Sequence, residues 1–162
     1  SKYHAYQYYL DAIKRDGIPY ELITKALPTI EGEVNNILSQ LVDFQILFEM
    51  DGKNINNYIV YDADNTWPLE LSSGMERFIS SLAIRVGLIN VSNLPRSNFL
   101  AIDEGWGTMD SDNLNSVYSL FQYLKSQFQF TLIVSHIDSM RDAVDTLLEI
   151  KKEKSFSSIN FD

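Results

Sequence analysis

Residues 99–105, FLAIDEG, carry four apolar residues straight into two adjacent carboxylates, Asp103 and Glu104, and a glycine. Residues 130–136, FTLIVSH, repeat the form: a short apolar run that ends in Ser135 and His136. Runs of this kind predict strands buried on both faces of a sheet, and residues 111–127 between them read as a helix. Strand, helix, strand in this order implies a parallel pair joined by a right-handed crossover, so the region is α/β. Ligands of open parallel sheets collect beyond the carboxyl ends of the strands, where both runs turn polar.

Upstream, Met75, Phe78, Ile79, Leu82, Ala83 and Val86 form an apolar stripe, which predicts a helix over 74–90. Before it, Tyr6, Tyr9, Leu10 and Ile13 fall at helical spacing, in a segment expected to stop near Asp16 and Gly17. A second short helix is expected to start at Pro19. A third should begin near Thr29, after Pro28, with Ile30, Val34, Ile37, Leu38 and Leu41 on one face. Phe44, Ile46, Phe48 and Met50 then alternate, Asp51 and Gly52 supply a turn, and 58–62 reads as the return strand of a β-hairpin, across a loop of two residues or more. Downstream, a last helix is expected at 139–144 and strands at 146–151 and 156–160. The chain therefore divides into a helical segment at 1–43, a hairpin at 44–62 and an α/β lobe at 71–162.

With 162 residues, 45% of them hydrophobic, the chain can bury a sizeable core as a single lobe. A formal charge of -9 argues against broad affinity for nucleic acid, which needs clustered Lys and Arg. Any DNA contact must be local or shared. Without cysteine, disulfides and thiolate zinc sites are excluded. No apolar run reaches the roughly 20 residues that span a bilayer, and SKYHAYQYY lacks the apolar core of a signal peptide. The expectation is an intracellular protein with no membrane partner.

Neighbouring residues at a strand end point in different directions, so Asp103 and Glu104 can take two tasks. Asp103 suits a magnesium ion, which takes one or two carboxylates plus waters and phosphate oxygens. Glu104 suits a water to be oriented or deprotonated. Two acids capping a loop or the next helix fit the same residues. His136 can meet a phosphate oxygen or hold the water, and equally can be a hydrogen-bonded structural residue. Zinc does not fit: the other histidine, His4, is far away in sequence.

Ser73 to Glu76 matches the S-x-x-E capping box. That leaves Ser72 and Gly74 without a reason, whereas a phosphate docking on the helix start would use a serine hydroxyl, a glycine for close approach and free N–H groups. Both readings stay open on the motif alone.

Taken together, LSSGM at 71–75, FLAIDE at 99–104, GTMD at 107–110 and SH at 135–136 resemble the C-terminal half of an ABC-type ATPase head. In that superfamily these are the signature (usually LSGGQ), the Walker B strand, the D-loop and the H-loop. Ser73 stands here for the first glycine and Met75 for the glutamine. DEGWGTMD resembles the DEGFGTLD of SbcC-type DNA repair ATPases, relatives of Rad-fifty, and IKRDGIP with ALPTIEGEVNNIL resembles their return from the coiled coil into the head. The implied fold is the C-terminal lobe of such a head, a mainly parallel sheet flanked by helices, with the base of a coiled coil and a hairpin before it.

The resemblance implies magnesium held through water by Asp103, Glu104 as catalytic base and His136 at the γ-phosphate. It places Leu71, Ser72, Ser73, Gly74 and Met75 against ATP on the opposite head, and Gly107, Thr108, Met109 and Asp110 at the dimer interface. It implies ATP and magnesium as cofactors. The implied partners are a second head, an SbcD (Mre-eleven)-type nuclease and DNA met through the assembled complex; the sequence leaves open whether the source is cellular or viral. No G-x-x-x-x-G-K-[ST] occurs: the only Gly-Lys pair is Gly52-Lys53, with Leu47 where the first glycine belongs. An N-terminal lobe must then supply Walker A before ATP can be hydrolysed. The alternatives are the head lobe of an SMC- or RecN-like DNA-maintenance ATPase, or a hydrolysis-dead scaffold lobe.

Overall fold

The computed structural model describes residues 4, 7, 10, 18–52, 54–93, 95–103, 114–135, 138–153 and 156–161. The chain forms two compact units, Ser1–Arg96 and Ser97–Asp162.

In the first unit, helix α1 (Ile18–Leu38) packs on strand β1 (Gln45–Asp51) and on helix α2 (Gly74–Val91). The two helices expected around Pro28 are one, with Pro28 inside it. Proline forfeits a hydrogen bond to the carbonyl four residues back, at about 3 kcal/mol. That carbonyl belongs to exposed Thr24, where water can replace the bond. The apolar stripe runs across the proline, from Leu27 before it to Val34, Ile37 and Leu38 after it, all buried. Each buried side chain contributes about 1.5–3 kcal/mol, enough together to carry the helix through the break. Positions 4, 7 and 10 are helical, while Tyr6, Tyr9, Ile13, Asp16 and Gly17 lie outside the described residues.

β1 pairs antiparallel with β2 (Asn54–Val60), from Gln45↔Val60 to Asp51↔Asn54. The return strand starts four residues earlier than 58 because the turn is the tight one, with Gly52 at φ 56°, a value that favours glycine. A third strand, β3 (Thr66–Pro68), which the sequence pattern does not predict, pairs with β2. The outer edge of β1 is closed by side chains of α1. Asn35 receives the Ile46 N–H at 2.7 Å and donates to the Ile46 carbonyl at 2.9 Å, and Glu31 receives the Phe48 N–H at 2.8 Å. These side chains act as a neighbouring strand would.

In the second unit, β4 (Phe99–Asp103) and β5 (Phe130–Val134) form the expected parallel pair, in register from Phe99↔Phe130 to Asp103↔Val134. Helix α3 (Leu114–Gln127) joins them and contacts β5, burying Val117, Leu120, Phe121 and Leu124. One face of the pair, with Leu100, Ile102, Thr131 and Ile133, is covered or half-covered. The other is open, with Phe99 57%, Phe130 58%, Leu132 41% and Val134 48% exposed, so within this chain the strands are not buried on both faces as their composition predicts. A 3-10 turn, Asp138–Ala143, replaces the last helix, and β6 (Leu148–Glu153) and β7 (Phe156–Phe161) close the chain as an antiparallel hairpin. No described helix is long and apolar enough to cross a membrane.

Candidate nucleotide-binding site

The LSSGM turn is built from both sides. β3 ends at Pro68, and a single 3-10 turn, Leu69–Leu71, leads into two extended serines: Ser72 at φ -77°, ψ 168° and Ser73 at φ -63°, ψ 161°. Such angles suit the residue before a helix start. The Ser73 hydroxyl accepts the Glu76 N–H at 3.2 Å, and the Glu76 carboxylate accepts the Ser73 N–H at 2.6 Å. The capping box predicted from the sequence is present in full.

Ser72 is buried, and its hydroxyl donates to the Leu69 carbonyl at 2.6 Å. A hydroxyl has one hydrogen, so its donor is used inside the turn. Met75 turns into the core, whereas Leu71 stands 76% exposed beside Ser72. Helix geometry gives the N–H groups of Gly74 and Met75 no intrahelical acceptor.

Glu76 has a further partner: the Tyr61 hydroxyl donates to it at 2.7 Å. Tyr61 follows β2, and its ring lies 5.5 Å from Phe44 and 5.4 Å from Trp67, stacked on the latter. Burial, the hydrogen bond to Glu76 and that carboxylate's negative charge push the Tyr61 phenol up to about 12. Partial burial works against the charge on Glu76. The hydrogen bonds from the Ser73 N–H and the Tyr61 hydroxyl outweigh it and hold the carboxyl below its ordinary range. Sequence reasoning finds Glu76 through the capping box but misses Tyr61, since nothing in NNYIVYDAD marks one tyrosine as the partner of a residue fifteen positions on.

In the second unit, Asp103 is the last residue of β4, exposed, and in register with Val134. The two strands end side by side, and Ser135 follows on the surface. An exposed carboxylate at this edge fits magnesium, which takes few protein ligands and keeps its waters. Glu104, Gly107, Thr108, Met109, Asp110 and His136 lie outside the described residues. Among the described residues no group of three or more acidic or histidine side chains could enclose a metal on its own.

The fold is that of an SMC-type ATPase head. A structure from work on ATP-driven dimerization and DNA-stimulated activation of SMC ATPases superposes with a TM-score of 0.70 at 13% identity, over 87% of this chain and 88% of that one. In sequence, the chain is 37% identical over 95% of its length to the uncharacterized protein R555 of Acanthamoeba polyphaga mimivirus. It is also 32% identical, over 55% of its length, to the SbcC component of the nuclease SbcCD of Staphylococcus aureus. It spans 13% of the viral relative and 9% of the bacterial one. No family model matches the chain. Fold and partial sequence likeness together support a C-terminal SMC/SbcC-like head lobe.

Proposed function

We propose that this chain is the C-terminal lobe of an ATP-hydrolysing head that dimerises on ATP and controls DNA end processing with a partner nuclease. The observation that carries the reading is the parallel register of β4 and β5, which ends both strands together at Asp103 and Val134, with Glu104 next in the first and His136 two residues on in the second. That is where an acid–base pair and a magnesium ligand would have to converge. Asp103 would hold magnesium through water, and the ion, when bound, would supply positive charge to stabilise the phosphates. Glu104 receives the proton of the attacking water. His136 donates a hydrogen bond to the γ-phosphate, and Gly107, Thr108, Met109 and Asp110 meet the second head. The signature turn meets ATP held by that head: Ser72 rotates its hydroxyl from Leu69 to the phosphate, beside the open N–H groups of Gly74 and Met75.

An N-terminal lobe carrying Walker A completes the site, and the uncovered face of the parallel pair supports the need for further structure beside it. The bacterial relative is a component of a nuclease, which favours DNA ends as the place of action.

The test is reconstitution. This chain alone should hydrolyse no ATP. Adding its N-terminal lobe should give magnesium-dependent hydrolysis, which Glu104→Gln abolishes while ATP-dependent dimers persist. Robust hydrolysis by the isolated chain overturns the half-site reading. Because Ser72 is buried, Ser72→Ala is the variant that fits, and it should weaken ATP-driven dimerisation with little effect on thermal unfolding.

A further inference from the structure

The signature turn is tied to the three-stranded sheet by one side-chain path. Tyr61 is fixed by Phe44 and Trp67, its hydroxyl holds one oxygen of the Glu76 carboxylate at 2.7 Å, and the other oxygen holds the Ser73 N–H at 2.6 Å. Ser73 lies between Ser72 and Gly74, the residues given the phosphate contact. A carboxylate at this position of a helix can occupy several rotamers, and only one places an oxygen on the capping N–H. The Tyr61 hydroxyl selects that one. An S-x-x-E cap needs no third residue to close, so the tyrosine does something the cap does not require.

We infer that Tyr61 is a positioning residue for the signature turn, acting through Glu76 to fix the backbone between Ser72 and Gly74 in the shape that receives a phosphate from the opposite head. The inference rests on the reading of this turn as the trans phosphate contact. It adds a residue from outside the motif, and it makes the rim of the β1–β2–β3 sheet part of the engagement surface. A shift of β2 against α2 would then reach the turn through this hydrogen bond as well as along the backbone from β3.

The experiment measures the ATP concentration at half-maximal dimerisation, by analytical ultracentrifugation of the head assembled with its N-terminal lobe. Wild type, Tyr61→Phe, Glu76→Ala and the double variant are compared, with thermal unfolding of each. Tyr61→Phe keeps the ring stack and should raise the half-point about fivefold, the size expected for one lost hydrogen bond, with the unfolding midpoint nearly unchanged. In the Glu76→Ala background the same change should have no further effect, because a residue acting through Glu76 has nothing left to act on. An unshifted half-point for Tyr61→Phe, or a full additional shift in the double variant, overturns the positioning role. If wild-type heads do not dimerise with ATP at all, the signature reading itself fails and the role of Tyr61 falls with it.

Discussion

The two units both carry long apolar stretches and differ in where that apolar surface goes. In the first, α1 and α2 bury Val34, Ile37, Leu38, Ile46, Ile59 and Ile79 almost completely. The β1 edge is closed by Asn35 and Glu31, and β3 ends in Pro68, which has no N–H to offer. In the second, the parallel pair presents Phe99, Phe130, Leu132 and Val134 on an open face, and the terminal hairpin exposes Leu148, Ile150 and Ile159. Parallel strands are normally covered on both faces. The first unit buries the centre of its apolar surface between its own helices and sheet, whereas the parallel pair of the second keeps one face open.

The contrast breaks most readily by truncating one buried and one open apolar residue. Ile37→Ala removes a side chain that is 2% exposed, in the heart of the first unit, and should cost about 2–5 kcal/mol. Leu132→Ala, on the open face, should stay within about 0.5 kcal/mol in the same chain. Urea unfolding of both variants decides the matter. A cost at Leu132 comparable to that at Ile37 would mean the face is covered in solution.

A smaller effect tests how closely the first unit is packed. A Cβ built on Gly87 would lie 2.8 Å from Cγ2 of Val34, a branched side chain on the facing helix that cannot swing away. Gly87→Ala should therefore destabilise by about 1–3 kcal/mol despite alanine's better helix propensity. Adding Val34→Ala should cost less than it does alone, since the two crowd each other. Next in size comes Asn35→Ala, which strips both partners from the peptide groups of Ile46, at about 1–3 kcal/mol. Asn35→Asp should restore only the acceptor half. Denaturation curves compared across this set show whether the edge is closed by that one side chain.

How much of this is legible depends on the range of the interaction. The helix start at Gly74, the capping box and the two parallel strands are written in local pattern: a stripe at helical spacing, S-x-x-E, and apolar runs bounded by polar residues. The order of four short motifs then points to the family of folds. Pro28 reads as a break because a proline's cost is local, whereas the stripe that outweighs it packs on α2, and only the tertiary partner decides the balance. The turn at Gly52 is tighter than the composition of NINNYIV suggests, since three asparagines in a strand are tolerated where neither face is wholly buried. Tyr61 to Glu76 and Asn35 to Ile46 are invisible for one reason. Each joins residues whose proximity is fixed by the fold and by no spacing rule.

The smallest expected effect bears on that long-range bond. Glu76 has its carboxyl held below the ordinary range, first against the cost of burial and then by the Ser73 and Tyr61 hydrogen bonds. Its contribution to stability is therefore fully present above the unfolded carboxylate value and fades as pH falls through the lowered folded one. Tyr61 has the opposite sign. Its phenol is raised from 10.0 to about 12, so its contribution is complete below pH 10 and is lost as pH climbs toward 12. Tyr61 is 42% exposed and Glu76 only half-buried, so solvent screens their interaction and keeps either limb shallow. Urea midpoints measured against pH should show an alkaline decline in the wild type that Tyr61→Phe lessens, and an acid decline that Glu76→Gln lessens. A Tyr61→Phe protein whose alkaline limb matches the wild type would mean the phenol holds no carboxylate in solution, and the sheet would then have no side-chain hold on the signature turn through that residue.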